Sequence, residues 1–174
     1  ECPKCKDTGY VLDGEKTVMC SCLKQKILDI EYNNSNIGNL DRENFKKFNL
    51  NLYSDEVNEE KYGSDLSPRE NIKVIGKEVK KFIKNFDDPN EKNLLFSGGT
   101  GLGKTFLSNC IVAELLAKGK TVLYQTAPVM LDTLISELFD KNSNNAFSQN
   151  LLSVDLLVID DLGTETMNSM KFTE

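Results

Sequence analysis

Residues 98–105 have the sequence GGTGLGKT and fit the pattern G-x-x-x-x-G-K-[ST] in full. A short apolar stretch, residues 93–97, precedes them, and residues 105–117 have the composition of a helix. Glycines let the backbone curl tightly, so that successive N–H groups and the start of a helix point at one place. Such a loop binds phosphate groups. The stretch therefore predicts a strand, a loop and a helix built around a phosphate site.

This P-loop, or Walker A motif, gives its polar side chains separate tasks in binding ATP. We expect Lys104 to reach the β- and γ-phosphates and the Thr105 hydroxyl to ligate Mg²⁺. The residues predicted to contact the nucleotide are Gly98, Gly99, Thr100, Gly101, Leu102, Gly103, Lys104, Thr105 and Phe106. A chance glycine-rich turn is the alternative, and the agreement of strand, loop, Lys-Thr pair and helix argues against it.

The stretch DLLVIDD, residues 155–161, supplies the second half of the site, a Walker B strand. An apolar strand that ends in carboxylates carries them to the carboxyl edge of a parallel sheet, where ligands bind. We predict that Asp160 holds Mg²⁺ through water and that Asp161 orients and polarises the attacking water. With Lys104 these are the predicted catalytic residues. Apolar strands often end in Asp, so the motif alone is weak. This strand follows the P-loop after one further strand and helix, and that position supports the Walker B assignment.

Strands and helices alternate through the second half of the chain. The predicted ranges are 93–97, 121–125 and 156–159 for strands, 68–86, 105–117 and 128–139 for helices, and 141–150 for a polar loop. This order indicates parallel βαβ units with right-handed crossovers. The predicted fold class is therefore α/β, a P-loop NTPase whose parallel sheet is flanked by helices and is incomplete at the C-terminus.

The N-terminal part of the chain is rich in cysteine. Four of the five cysteines form two short pairs, Cys2-x-x-Cys5 and Cys20-x-Cys22. Residues 10–12 and 17–19 are strand-like, and the dipeptide Asp13-Gly14 between them favours a turn. A β-hairpin is therefore predicted, and it would bring the two pairs together.

Four thiolates in two close pairs suit a tetrahedral, structural Zn²⁺ site of the zinc-ribbon kind, with Cys2, Cys5, Cys20 and Cys22 as ligands. Two disulfides are one alternative, although an ATPase of this kind belongs in a reducing cytosol. Four free thiols are the other. The fifth cysteine, Cys110, is predicted to be a small residue of the core.

Composition divides the chain into three predicted parts. Residues 1–31 form the cysteine-rich module with a helix at 23–31, residues 32–66 a polar linker, and residues 67–174 the N-terminal part of an ATPase domain. The linker is poor in apolar residues, so we expect it to lie on a partner domain or to stay mobile. An aromatic cluster within it, Phe45, Phe48 and Tyr53, could fix part of it in place.

Charge and hydropathy exclude some partners. The net charge of −6 gives no reason to expect tight, non-specific binding to DNA. No apolar run approaches the ~20 residues of a membrane span, and no signal peptide is visible. We therefore expect a cytoplasmic protein with no membrane partner. The chain starts at Glu1 rather than Met and stops at Glu174, so we expect the protein to extend beyond both ends.

Four segments resemble the bacterial DnaC/DnaI-like helicase loaders, which are AAA+ ATPases close to the IstB transposition helpers. They are CSCLKQK at 20–26, ENFKKFNL at 43–50, SGGTGLGKT at 97–105 and DDLGTE at 160–165. The resemblance implies an AAA+ fold and an ATP-driven switch that delivers a ring-shaped replicative helicase onto single-stranded DNA. The implied partners are that helicase, single-stranded DNA bound weakly and only with ATP, and further copies of the chain in an AAA+ oligomer.

The resemblance also implies roles for Lys104, Thr105, Asp160 and Asp161 that match those argued above. The Walker B strand ends in Asp-Asp, as in the loader branch, whereas most AAA+ proteins have Asp-Glu. The family's helicase-binding region would lie upstream of Glu1. Its sensor strand, arginine finger and second sensor would lie beyond Glu174. Hydrolysis of ATP by these 174 residues alone is therefore left open.

Three other functions are found among proteins with a P-loop. A small P-loop kinase would need a lid rich in arginine, but the only arginines, Arg42 and Arg69, both precede the P-loop. An IstB-like helper ATPase in transposition stays open. So does a zinc-bearing adaptor that binds nucleotide without hydrolysing it.

Overall fold

The computed structural model describes residues 1–33, 37, 39–140 and 144–164. The chain divides into two compact units, of which one comprises Glu1–Asn39 and Leu115–Glu174 and the other Leu40–Glu114. The three-part division expected from composition stays a prediction. Of the helices in the described ranges, none combines the length and the apolar character that a membrane span requires.

The first unit begins with the predicted hairpin. Strands β1 (Tyr10–Asp13) and β2 (Lys16–Met19) are antiparallel. Asp13 still pairs with Lys16, so the two-residue turn is Gly14-Glu15, one residue later than predicted. Gly14 has a φ of +61°, a left-handed conformation that glycine adopts without strain.

Helix α1 (Ser21–Leu28) follows the hairpin and continues into one π-helical turn, Asp29–Asn33. The helix predicted at 23–31 therefore begins two residues earlier than expected, at Ser21. The helical spacing of Leu23, Ile27 and Ile30 predicts a shared apolar face, but Ile30 is exposed. The reason is the π turn, whose i→i+5 bonding changes the angular spacing of the side chains.

A second sheet of this unit pairs β3 (Val122–Thr126) with β4 (Leu156–Asp160), and these strands are parallel as predicted. Helices α5 (Ala127–Phe139) and α6 (Ala146–Ser153) lie between them in the chain. In the core, Leu28, Leu123 and Phe147 are buried against one another.

Helix α6 corrects the polar loop predicted at 141–150, because residues 146–150 are helical. The N–H groups of Phe147 and Ser148 donate to the Glu137 carboxylate at 2.8 and 3.0 Å. A carboxylate at a helix N-terminus satisfies donors that have no partner within the helix. The stabilising residue lies on α5, so the local sequence did not indicate the helix.

The edge of β3 opposite β4 is closed by side-chain amides rather than by a strand. Gln25 accepts from the Val122 N–H at 2.6 Å and donates to the Val122 carbonyl at 3.0 Å. Asn33 donates to the same carbonyl at 2.9 Å and accepts from the Tyr124 N–H at 2.9 Å. The helix behind the cysteine hairpin is thereby hydrogen-bonded to the sheet.

The second unit contains a 3₁₀ turn at Leu50–Leu52, the short helix α2 (Glu59–Tyr62), helix α3 (Pro68–Lys84) and most of helix α4 (Lys104–Ala117). The start predicted for α3 is confirmed. Ser67 is its N-cap and forms a capping box with Glu70, and Pro68 is the first helical residue.

The strand predicted at 93–97 is wrong, because these residues form no regular secondary structure and pair with no strand. Leu95 is 81% exposed. A strand exists only where a neighbour completes its hydrogen bonds, and the described part of this unit holds no other strand. The apolar run predicted a strand but could not supply the partner.

Candidate functional site

The P-loop runs from Gly98 to the start of α4 at Lys104. The Lys104 ammonium donates to the carbonyl oxygens of Gly98 and Gly99, at 2.9 and 2.8 Å. The side chain therefore lies over the backbone of its own loop, beside the N-terminus of a fourteen-residue helix. A mobile cation and a helix N-terminus at one place form a site for an anion.

Gly103 shows why this loop needs glycine. Its φ is +93°, and a Cβ atom at this position would lie 2.8 Å from the Tyr53 hydroxyl. That hydroxyl donates to the Leu102 carbonyl at 3.2 Å. Burial raises the pKa of the Tyr53 phenol, so that it stays a donor at neutral pH. Tyr53 thus contacts the loop from the side, and glycine at position 103 leaves room for its hydroxyl.

An aromatic cavity of about 250 Å³ lies beside the loop. Phe48 stacks on Tyr53, with 6.1 Å between ring centroids, and leans against Phe106, with 5.9 Å between centroids. The cavity is lined by Lys47, Phe48, Asn49, Leu52, Tyr53, Gly101, Leu102, Gly103 and Phe106. Three residues of the P-loop therefore form one wall of a pocket whose other walls are mainly aromatic and apolar, with Lys47 and Asn49 as polar members.

Further contacts hold part of the segment predicted as a linker against the helices of this unit. Asn109 on α4 donates to the Glu43 carboxylate, and the Lys80 ammonium lies 5.8 Å from the centre of the Phe45 ring. Sequence reasoning missed Phe48 and Tyr53 as site residues. The signal was present in the aromatic residues at 45, 48 and 53, but nothing local indicated that they pack on the P-loop.

The Walker B strand β4 places Asp160 at its carboxyl end. One carboxylate oxygen of Asp160 accepts from the Asp161 N–H at 2.9 Å, and the other accepts from the Tyr124 hydroxyl at 2.7 Å. Asp161 is exposed and has a φ of +53°, so the chain turns sharply as it leaves the strand. The Thr164 hydroxyl donates a hydrogen bond to the Asp161 carbonyl at 2.8 Å and stabilises this turn.

The predicted site residues are thus found in two groups. The P-loop with Thr105 and Phe106 belongs to one unit, and Asp160 and Asp161 belong to the other. A magnesium ion shared by Thr105 and Asp160 stays a prediction from the sequence. Glu165, part of the DDLGTE segment, lies outside the described residues.

The four N-terminal cysteines are brought together as predicted. Their Sγ atoms all lie within 4.8 Å of one another, with Cys2 3.9 Å from Cys20 and Cys5 3.4 Å from Cys22. All four are free thiols. A zinc ion with four bonds of about 2.3 Å holds its sulfurs about 3.8 Å apart, so the arrangement fits a tetrahedral metal.

The thiols of this cluster differ in acidity. Backbone N–H groups of Cys5 and Lys4 lower the pKa of Cys2 to about 6. Hydrogen bonds with Cys5 and Cys20 raise the pKa of Cys22 to about 12. Of these two thiols, Cys2 therefore ionises more easily and Cys22 resists ionisation. A bound divalent cation would favour the thiolate form of all four.

The fifth cysteine behaves as expected from the sequence. Cys110 on α4 is fully buried, and burial raises its pKa to about 12. A thiol of this kind is inert and packs as a small apolar side chain.

Comparison with known proteins places the part of the chain that holds the P-loop and β4 in a family. Residues 75–172, more than half of the chain, match the model of a family described as IstB-like ATP binding protein. The replicative helicase loader DnaC of Escherichia coli (strain K12) is 36% identical over 91 residues, which cover 51% of this chain and 36% of that protein.

Two further relatives are similar over a comparable stretch. The chromosomal replication initiator protein DnaA of Caulobacter vibrioides (strain NA1000 / CB15N) is 37% identical over 86 residues, 48% of this chain and 17% of that protein. The uncharacterized protein YdaV of Escherichia coli (strain K12) is 37% identical over 73 residues, 42% of this chain and 29% of that protein. The chain therefore spans between 17% and 36% of the length of these relatives.

Proposed function

Because this chain belongs to the family of IstB-like ATP binding proteins, we propose that residues 98–105 bind ATP and that the intact protein hydrolyses it to load a replicative helicase onto single-stranded DNA. The observation that carries ATP binding is Lys104 lying on its own loop at the N-terminus of α4. The helicase partner is supported by the similarity to a protein named as a helicase loader. Single-stranded DNA and an AAA+ oligomer are proposed from the sequence resemblance alone.

Magnesium and water complete the proposed reaction. Mg²⁺ would neutralise charge on the phosphates, and the Thr105 hydroxyl and Asp160 are the ligands that the sequence assigns to it. Lys104 holds the β- and γ-phosphates. Asp161 orients the water that attacks the γ-phosphate, which separates as inorganic phosphate and leaves ADP.

The adenine base occupies the aromatic cavity in this proposal. The cavity shares Gly101, Leu102 and Gly103 with the phosphate loop, so a base within it and phosphates on the loop can belong to one nucleotide. Phe48 offers the base a flat apolar face. Stacking of a base on an aromatic side chain contributes about 1–3 kcal/mol.

Replacing Phe48 with alanine should lower ATP affinity about tenfold, since about 1.4 kcal/mol of stacking is lost. Affinity for inorganic tripolyphosphate should stay unchanged, because this ligand has phosphates but no base. Calorimetric titration with both ligands measures the two effects. Phe45→Ala is the matched control, because Phe45 packs beneath Lys80 and does not line the cavity. An equal loss for tripolyphosphate would show that Phe48 supports the loop rather than the base.

The cysteine cluster is proposed to bind one structural zinc ion. The four Sγ atoms lie within 4.8 Å of one another, and Lys6 and Asp7 have left-handed φ angles of 51° and 65° just after the first pair. Such backbone is strained in residues other than glycine and is retained where a site requires it. The ion would hold both cysteine pairs, and with them the start of α1.

Protein purified without chelator should contain about one zinc per chain, measured by elemental analysis, because two close pairs of thiolates form one tetrahedral site. Cys20→Ser should lose the metal. Cys110→Ala is the matched control and should keep it, because Cys110 lies in the second unit and outside the cluster. Absence of metal together with four titratable free thiols would contradict the assignment.

The family description also favours a second candidate, an IstB-like helper ATPase that assists a transposase. A non-hydrolysing adaptor is a third. Helicase loading is tested directly by asking whether the intact protein with ATP places a replicative helicase on closed, single-stranded circular DNA. Stimulation of a transposase instead would support the second candidate, and ATP binding without turnover the third.

A further inference from the structure

We propose that Tyr124 positions the carboxylate of Asp160 for binding Mg²⁺. The inference rests on the proposed function, because it assigns a task to a residue beside the proposed magnesium ligand. Tyr124 lies on β3 and does not belong to either phosphate-site motif. It is absent from the site expected from the sequence.

The register of the sheet brings the two side chains together. Tyr124 lies opposite Val158, and Thr126 lies opposite Asp160. Because side chains alternate between faces along a strand, these four residues share one face. Tyr124 and Asp160 are therefore diagonal neighbours, a separation that an aromatic side chain can span. The ring reaches along the strand direction toward the carboxyl end of β4.

Two hydrogen bonds hold the Asp160 carboxylate, one at each oxygen. The Tyr124 hydroxyl donates to one oxygen at 2.7 Å, and the Asp161 N–H donates to the other at 2.9 Å. Each carboxylate oxygen has two acceptor sites. These two donors, one on each oxygen, set the orientation of the carboxylate. The tyrosine is 2% exposed, so water cannot replace its hydroxyl without rearrangement.

Orientation matters here because magnesium keeps several of its waters and accepts only near-ideal octahedral geometry. A carboxylate that binds such an ion through water must present its oxygens at a defined angle. Groups that hold a metal ligand in place typically contribute 10–100-fold to metal affinity. A buried tyrosine that only satisfies its own hydroxyl would instead affect stability and leave magnesium binding unchanged.

The test is Tyr124→Phe in the intact protein, which keeps the ring and removes the hydroxyl. ATP affinity is titrated by calorimetry in EDTA and over a range of Mg²⁺ concentrations, and thermal unfolding is recorded alongside. Affinity in EDTA should equal that of the parent, and the Mg²⁺ concentration for half-maximal enhancement should rise about tenfold. Tyr32→Phe is the matched control, because it removes a hydroxyl from a ring packed against Phe147 in the same unit.

A double-mutant cycle with Asp160→Asn gives a second measurement. In that background Tyr124→Phe should cause no further change in the Mg²⁺ requirement, because the carboxylate it positions is gone. The inference is overturned if Tyr124→Phe has the parental Mg²⁺ requirement, or if its effect persists in Asp160→Asn. If the parent binds ATP with no response to Mg²⁺, the proposed magnesium site itself fails, and that outcome is visible before any variant is made.

Discussion

Replacing Lys104 with alanine should abolish measurable ATP binding while the protein stays folded. The lysine supplies the side-chain cation in a cradle otherwise made of backbone N–H groups. In the structure it donates to the Gly98 and Gly99 carbonyls, so it already lies where the phosphates would bind. Each charge-assisted hydrogen bond contributes about 1.5–3 kcal/mol. Loss of contacts to two phosphates should therefore reduce affinity by about 10²-fold or more.

Calorimetry with ATP measures this loss, and circular dichroism shows whether the fold is kept. Lys92→Ala is the matched control. It removes an exposed lysine of the same unit, close to the P-loop in sequence, and should bind ATP like the parent. Parental affinity in Lys104→Ala would refute the assignment of the phosphate site.

Replacing Asp161 with asparagine should stop turnover without affecting ATP affinity. Its task is to orient water in the transition state, so it need not contact ATP in the ground state. Asparagine tolerates the left-handed conformation found at this residue, so the variant removes charge with little added strain. Turnover in the intact protein should fall by about 10²-fold or more, the contribution typical of a positioned acid or base.

A steady-state phosphate-release assay measures this decrease, and Glu165→Gln serves as the comparison. Glu165 is the alternative catalytic carboxylate, and in that case Asp161 is only a helix cap beyond the strand. Asp160→Asn should weaken Mg²⁺-dependent binding as well as turnover. If Asp161→Asn keeps the parental rate and Glu165→Gln does not, the catalytic carboxylate has been assigned to the wrong residue.

The elements that sequence predicted well are those with signals close by in the chain. Helix α3 has its N-cap, first-turn proline and capping glutamate within four residues, and β4 is a continuous apolar run. The strand at 93–97 failed because pairing depends on a distant neighbour. Helix α6 was missed because Glu137, which satisfies its first N–H groups, lies on α5.

The same division holds for the candidate sites. The P-loop is one contiguous stretch and the cysteines form two short pairs joined by a hairpin, so spacing alone indicated both. Tyr53 and Tyr124 were not predicted, because each contacts its partner only after the chain has folded. Leu102 lies 49 residues from Tyr53 in the sequence, and Asp160 lies 36 residues from Tyr124. Neither tyrosine has a local pattern that distinguishes it from an ordinary core residue.

The hydrogen bonds that close the edge of β3 restrict which side chains are suitable at positions 25 and 33. A strand edge presents donors and acceptors in turn, and Gln25 and Asn33 each provide both. A carboxylate at either position could accept but would face the Val122 carbonyl with negative charge. A hydroxyl would be too short. Because an open edge invites pairing with another strand, these two amides occupy positions at which a further strand would bond to β3, and the segment that carries them begins at the cysteine cluster.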